Sequence, residues 1–368
     1  MSVWFSGVFV NSRAVCYISP MRILAIETSC DETAVALISN DGGRFLVEES
    51  LVSSQIATHA KYGGVVPEVA ARLHVKVLPR MIEVLTNWKS TGIDAVAVTA
   101  GPGLATSLRV GIETAKALTV SWGVPLVPVD HIEGHIFANF LVSPDSKFLN
   151  SSIPQFPALC LVVSGGHTEL VLMKSFGEYE IIGRTRDDAA GECFDKSAAL
   201  LGLPYPGGPE ISCAAENGRR YAYELPRPMI DSPDFDFSFS GLKTAMKRLV
   251  EDVSFERNDN TIADASASFE ESVVDVLISK TRRAAETYSV ASILLCGGVA
   301  ANKRLRERLV ASFQNTSVVV MIPELKYAGD NAAMIGAAGL MRLGFGQTAA
   351  DPYSVDAYPS HQIGGVWD

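Results

Sequence analysis

The sequence predicts an α/β protein built from two similar halves, and three observations carry that expectation. An apolar run, a polar turn and a second apolar run occur first at Ile23 to Ile26, Glu27 to Thr33 and Ala34 to Ile38. The same order returns at Ala158 to Val163, Ser164 to Glu169 and Leu170 to Met173. Each copy reads as strand, tight turn, strand, and the recurrence points to an ancient duplication with one copy per domain. Composition agrees: 48% hydrophobic and 20% charged residues with 30 glycines is the profile of a soluble α/β enzyme, not of a disordered or fibrous chain. Finally, 368 residues exceed one average core and fit two domains of ordinary size.

Taken in order, Met1 to Pro20 has no acidic residue, one Arg and several Ser, without the Arg density of a transit peptide or the layout of a secretion signal. We read it as an N-terminal extension ahead of the strand that Met21 opens. In the first turn, Asp31 and Glu32 lie among Thr28, Ser29 and Thr33. Two adjacent carboxylates with hydroxyls around them suit a phosphate or metal-water cradle; an ordinary hairpin is the plain alternative. Gly63-Gly64-Val65-Val66-Pro67-Glu68 then opens a helix through Val84, followed by a buried strand at Ala95 to Thr99 and a helix after Gly101-Pro102-Gly103.

Residues 143 to 157, rich in Ser and Pro, read as the boundary between the halves. From 183 to 245 the chain is punctuated by Pro and Gly rather than periodic, which predicts binding loops or a tolerated surface insertion. Residues 261 to 287 return to helical spacing, with Ile262, Phe269, Val273, Val276 and Leu277 as the buried stripe. The strand Ile293 to Cys296, the turn Gly297 to Asn302 and a basic helix follow. Strand, Gly-Gly turn and helix start form an arrangement that admits nucleotides, though alone the signal is weak.

Two of the six histidines fall in His131-Ile132-Glu133-Gly134-His135, directly after the strand-like Val124 to Val129 and Asp130. On a helix, residues four apart stand on one face, so both imidazoles reach one ion. A surface or structural pair has the same spacing. The zinc-protease pattern HExxH fails on register, because Glu133 stands one residue late and is turned ~100° around the helix. Asp330 opens a small-residue helix that ends near Leu343. An acid there is ordinarily an N-cap, and beside a His pair short of ligands it is also the best third donor.

The net charge of −10 makes the whole protein a poor match for nucleic acid, so such contact must be local or shared with a partner. The candidate patches are Lys243, Lys247 and Arg248; Arg282 and Arg283; and Lys303, Arg304, Arg306 and Arg308. Each is expected to be the solvated face of a helix. The six cysteines contain no CxxC, so neither a zinc ribbon nor a disulfide framework is indicated and a reducing cytosol is the simpler home. No apolar run approaches the ~18 residues needed to cross a bilayer.

The stretches IETSCDET, GGVVPE, HIEGH, VSGGHTEL, AAGECFDKSAALLGLPYPGGP, FSFSGLKTA, GGVAANKRLR and GDNAAM run in one order over nearly the whole chain. Together they resemble the tRNA N6-adenosine threonylcarbamoyltransferase family, the TsaD type of the bacterial branch, once described as O-sialoglycoprotein endopeptidase-like. The resemblance implies the actin, sugar-kinase and Hsp70 superfold: two actin-like, ribonuclease H-like domains with a cleft between them. Domain I would span 21–150, with about 325–345 returning to it, domain II 151–324 with substrate-binding insertions, and 346–368 a tail.

Carried over by motif, the family's metal site falls on His131, His135 and Asp330. Its substrate contacts fall on Ser164, Gly165, Gly166, His167, Thr168, Asp195, Gly208 and Asn302, and its functional carboxylates on Asp31 and Glu32. The implied reaction moves a threonylcarbamoyl group from threonylcarbamoyl-AMP to the N6 amine of adenosine 37 of tRNA. One divalent ion per subunit is implied, and two imidazoles with one carboxylate suit ferrous iron, with zinc as competitor. The implied partners are tRNA, a catalytically inactive paralogue (TsaB-like) and a small P-loop ATPase (TsaE-like) in the cytoplasm. A self-sufficient homodimer of the mitochondrial branch is the alternative.

Two stretches depart from the family's wording: Tyr327-Ala328-Gly329, where a Cys-Thr pair usually precedes the metal Asp, and Gly103 to Leu108. A kinase or ATPase of the same superfold would explain the duplicated turns but not the His pair. A metalloprotease is disfavoured by Glu133, and a non-enzymatic scaffold makes the carboxylates and ligands coincidental.

Overall fold

The computed structural model describes residues 21–41, 44–143, 153–365 and 367. The expected extension at 1–20 and the middle of the expected boundary lie outside them. The first half runs β1 (Met21–Glu27), β2 (Glu32–Asp41), β3 (Arg44–Ser54), α1 (Ile56–His59), α2 (Pro67–Thr86), β4 (Ala95–Gly101), α3 (Ala105–Trp122), β5 (Leu126–Asp130), α4 (His131–Phe137) and β6 (Leu141–Val142). The second runs β7 (Ala158–Val163), β8 (Thr168–Ser175), β9 (Glu178–Arg184), α5 (Ala190–Leu201), α6 (Gly207–Ala215), α7 (Ser240–Glu251), α8 (Asp259–Thr287), β10 (Ser292–Cys296), α9 (Lys303–Phe313) and β11 (Val319–Met321). A final helix, α10 (Ala332–Gly344), packs on the first sheet.

The sheet orders are β5-β4-β1-β2-β3-β6 and β11-β10-β7-β8-β9. In each half the first three strands form an antiparallel meander and the next two add in parallel on the side of the first, while in the first half the short β6 also pairs in parallel with β3. The expected duplication is therefore a duplication of topology, not only of a turn. Parallel neighbours need crossovers, and helices supply them: α1 and α2 between β1 and β4, α3 between β4 and β5, α5 to α8 between β7 and β10, and α9 between β10 and β11.

Because helices cover both faces, the central strands are apolar on both. Leu24 and Ile26 point to the core under α2 and α3, while Ile23 and Ala25 join a core that includes α4, α10 and Cys160, Val162, Leu294 and Cys296 of the second sheet. That shared core ties the halves together, with α4 packed against both sheets. The small residues of α10 allow close contact. A Cβ on Gly339 would stand 2.7 Å from Ala97 Cβ, and one on Gly134 of α4 would stand 2.7 Å from Ile335 Cδ1.

Two expectations differ from what is found. The stretch 183–245 holds two whole helices, α5 and α6, and the start of α7, leaving 216–239 and the short connections 185–189 and 202–206 irregular. Its inward face is built from Cys193, Phe194, Ala198 and Leu201 among small residues, and α6 opens on Gly207-Gly208-Pro209, so the helical period is faint. Second, α8 is buried around most of its circumference, because α6 and α9 both pack on it, whereas Ile262 of the expected stripe is only half-buried. Among the described residues no helix is long and apolar enough to cross a membrane.

Candidate metal centre and substrate cleft

Asp130 ends β5 in extended backbone and caps α4, its carboxylate accepting the Glu133 N–H at 2.9 Å. This cap starts the short helix at His131 and puts both histidines on one face. His131 Nε2 stands 3.6 Å and His135 Nε2 3.1 Å from Asp330 Oδ1, and the three ligand atoms lie within 4.8 Å of one another. Behind His131, Nδ1 lies 3.2 Å from Glu27 Oε2 and 3.2 Å from Ser29 Oγ. A carboxylate behind an imidazole fixes its orientation and leaves the other nitrogen for a ligand.

The electrostatics favour positive charge at this point. Burial alone would lower His131, but Asp330 and Glu27 outweigh it and raise it to about 9. Burial would raise Asp330, yet the two histidines hold it well below the usual carboxylate range. His135 is fully buried; its Nε2 faces Asp330 and its Nδ1 makes no hydrogen bond. An imidazole left so is costly unless another group engages it. The trio fits a divalent ion on these grounds.

Asp330 is free for this role because it does not cap α10. Asn331 does, its Oδ1 accepting the Met334 N–H at 2.9 Å, while its Nδ2 donates to Gly329 O at 2.8 Å and Tyr327 O at 3.2 Å. The loop that departs from the family wording is thus pinned through its backbone carbonyls, which a residue of any type provides. Glu133 faces away from the trio, accepting from Tyr179 Oη at 2.9 Å and Arg342 Nε at 2.5 Å.

The first turn lies beside this centre. Glu27 Oε2 accepts from Thr99 Oγ1 at 2.5 Å and Oε1 accepts the Ser29 N–H. Asp31 is buried and Glu32 half-buried. Burial first, then the charges of Asp330 and Asp31, push Glu32 up to about 9, so it carries a proton at neutral pH and bonds to Asp31. Across the cleft Asp31 faces Asp195 and Tyr205, and its charge adds to burial in raising both.

The second turn has different chemistry. Ser164 N–H donates to His167 O at 2.8 Å and Ser164 Oγ accepts the His167 N–H at 3.1 Å, closing the loop. Gly165 and Gly166 are exposed, and a Cβ on either would meet nothing within 4 Å. His167 is lowered to about 4 by burial and then by the charges of His131 and His135. Thr168 is fully buried, and its hydroxyl accepts the Ala190 N–H at 2.8 Å, anchoring α5. Further along α5, Asp195 accepts the Gly207 N–H at 2.7 Å and so fixes the start of α6.

A cavity of about 370 Å³ opens here, walled by Phe194, Pro206 and Val299 and reached by Gly165, Asp195, Gly208 and Asn302. Asn302 caps α9 by accepting the Leu305 N–H at 2.8 Å, and its Nδ2 donates to Glu270 Oε1 at 2.7 Å and Ser212 Oγ at 2.9 Å. Glu270 and Ser212 were not singled out from the sequence. Glu270 sits inside a helix read only for its apolar stripe, and no local signal marks it.

The chain matches the family model for tRNA N6-adenosine threonylcarbamoyltransferase (TsaD) over residues 47–337. Proteins of that name from Dehalococcoides mccartyi strain BAV1 and Bacillus subtilis strain 168 are 48% and 46% identical to it over 347 residues. Those alignments cover 93% of this chain and 99% and 96% of the relatives. The chain belongs to this family. It is accordingly a transferase, and the actin-like fold agrees. The crystal structure of T. kodakarensis HypF matches with TM-score 0.55 at 13% identity, covering 89% of this chain and 49% of that one, a likeness of fold alone.

In this family member most of the expected basic faces prove to be structural. Lys243 Nζ binds Asp188 at 2.7 Å, Arg304 Nε binds buried Glu271 at 2.8 Å, Arg308 reaches Asp275 at 3.0 Å and Arg306 donates to Pro323 O at 2.9 Å. Arg283 stacks on Phe235 at 5.3 Å. The expectation of solvated faces holds for the exposed Lys247, Arg248, Arg282 and Lys303, and fails for the others because acids and carbonyls of neighbouring elements reach them.

Proposed function

We propose that the chain transfers the threonylcarbamoyl group from threonylcarbamoyl-AMP to the N6 amine of adenosine 37 in tRNAs reading codons that begin with A. One observation carries this reading: an apolar cavity of nucleotide size is reached by Gly165 and Asp195, Asp195 feels the charge of Asp31, and His167 of the same glycine-rich turn feels the charges of His131, His135 and Asp330. The donor is a mixed anhydride and already activated. The N6 nitrogen attacks its carbonyl carbon, the carbon–oxygen bond to phosphate breaks, AMP leaves and the amine loses a proton.

Phe194, Pro206 and Val299 would enclose the adenylate, while the bare Gly165-Gly166 backbone lets it approach closely. Holding the two reactants in this orientation supplies much of the rate. Asp31 is placed to orient the amine or take its proton, and protonated Glu32 to hold Asp31 in place. His131, His135 and Asp330 would hold one divalent ion, for which this donor set suits ferrous iron and admits zinc. When bound, the ion supplies positive charge that polarises or anchors substrate oxygens.

With a net charge of −10 and most of its basic helix residues engaged, the chain alone offers little to a polyanion. It therefore works with an inactive paralogue, docked on its first domain, and a small P-loop ATPase. The test is reconstitution: chain, helpers, divalent metal, unmodified tRNA and threonylcarbamoyl-AMP should yield the modified nucleoside and AMP in equal amounts. ATP hydrolysis by the chain alone, with no modified nucleoside from the full mixture, would favour the ATPase reading instead.

A further inference from the structure

Three buried polar side chains lie beneath the first turn, and the proposed reaction leaves them without a role. Gln55 precedes α1, His59 ends it and His74 sits on the inner face of α2, with exposures of 5%, 0% and 0%. His74 Nε2 lies 3.0 Å from Cys30 O, His74 Nδ1 2.8 Å from Thr33 Oγ1 and 3.3 Å from Gln55 Nε2, and Gln55 Oε1 3.1 Å from His59 Nε2. At the far end the Val66 N–H donates to His59 Nδ1 at 3.3 Å.

The donors and acceptors in this chain have only one consistent assignment. Cys30 O can only accept, so His74 carries its proton on Nε2 and accepts at Nδ1 from Thr33 and Gln55. Gln55 Nε2 also faces Ala70 O at 3.4 Å, which sets the amide so that its oxygen accepts from His59. The Val66 N–H then requires an unprotonated His59 Nδ1. The four hydrogen bonds from Val66 through His59, Gln55 and His74 to Cys30 O therefore all point the same way, from the Gly63-Gly64-Val65-Val66 loop to the carbonyl before Asp31, with Thr33 and Ala70 as side branches. Burial keeps His74 below the usual imidazole range, in keeping with a neutral ring. The Gln55 backbone N–H adds a bond to Asp31 O at 3.0 Å.

A fully satisfied buried network of this kind rigidifies what it touches, and here it touches the residues on both sides of Asp31 and Glu32. We propose that His74, oriented by Gln55 and His59, is a positioning residue for transfer: it sets the Asp31–Glu32 turn from below and touches no substrate. The inference rests on the proposed role of that turn.

The test is a double-mutant cycle on the full chain, read as the single-turnover transfer rate with tRNA and threonylcarbamoyl-AMP. His74→Leu should lower the rate about tenfold or more, since small misplacements of a reacting group are costly. Donor KM and metal content should stay within about twofold. In an Asp31→Asn background the same change should cost less than about twofold, because coupled residues are not additive. Equal losses in both backgrounds, or a loss that follows metal content, would overturn the inference. Should His74→Leu fail to fold, Gln55→Met removes the middle link with a side chain of similar shape and carries the same test. A wild-type rate for Asp31→Asn alone would overturn the role of the turn itself, while a slow Asp31→Asn with an unaffected His74→Leu would overturn only the positioning role.

Discussion

The two turns that follow β1 and β7 occupy the same place in the same topology and do opposite things. The first is buried and held from every side: Glu27 by Thr99 and His131, Cys30 by His74, Asp31 by the Gln55 backbone. The second closes on itself through Ser164 and His167, and its two glycines face open space. A carboxylate proposed to act on a substrate atom needs a fixed direction, and its turn is braced. A backbone proposed to accept a phosphate needs room, and its turn is bare. Two topologically equivalent turns thus differ in what is packed beneath them.

The largest break should come at the point where the turns converge. His135→Ala removes one of three donors from the proposed metal centre. Affinity should fall by more than the ~10–100-fold that loss of an outer supporting partner costs, and transfer should fall with it. Stoichiometric metal with unchanged affinity, measured by elemental analysis and competition with a chelator, would sink the assignment. Next is the braced turn. Asp31→Asn keeps shape and removes charge, and should cost about 10²-fold in turnover with folding intact. Glu32→Gln should cost less, because Glu32 is held neutral at pH 7 by burial and by Asp330 and Asp31. Equal losses for the two variants, in parallel turnover assays, would show that Glu32 acts as an anion.

Much of this division was legible in the sequence. The strand–turn–strand pattern announced both copies, because apolar runs and turn residues are local signals. The His131–His135 spacing announced a shared face, and Asp330 followed as the acid left over. What could not be read was the support. Glu27 read only as the first residue of the polar turn, although it braces His131. His74 looked like an ordinary position on a helix, and Glu270 like a charge on an amphipathic one. Their partners lie 44 and 32 residues away, and nothing in a local window encodes such pairs. The same reason defeated the reading of Arg304 and Arg308 as solvated charges, since Glu271 and Asp275 come from the neighbouring helix.

The bare turn should respond more mildly than the braced one. Gly165 has no positive φ and a Cβ there meets nothing within 4 Å, so Gly165→Ala is accommodated without strain. Stability should change by less than about 1 kcal/mol. The added methyl group stands where the adenylate backbone contact is proposed, so donor KM should rise roughly threefold with turnover little altered. An unchanged KM would move the adenylate away from this turn.

The smallest effect concerns the strut between the halves. Tyr179 on β9 donates to Glu133 on α4 at 2.9 Å, and Glu133 also holds Arg342 of α10, so one carboxylate joins both sheets behind the metal helix. Tyr179→Phe removes only the hydroxyl. Glu133 keeps its ion pair with Arg342 and is not stranded, so the cost should be that of one net hydrogen bond to a charged group, about 1.5–3 kcal/mol. Metal affinity and transfer should remain within about twofold, because Asp130 still caps α4 and Glu27 still orients His131. Urea denaturation and metal titration of the same variant separate the two quantities. A large loss of metal affinity with little loss of stability would mean that the strut, and not the cap, sets the geometry of the histidines.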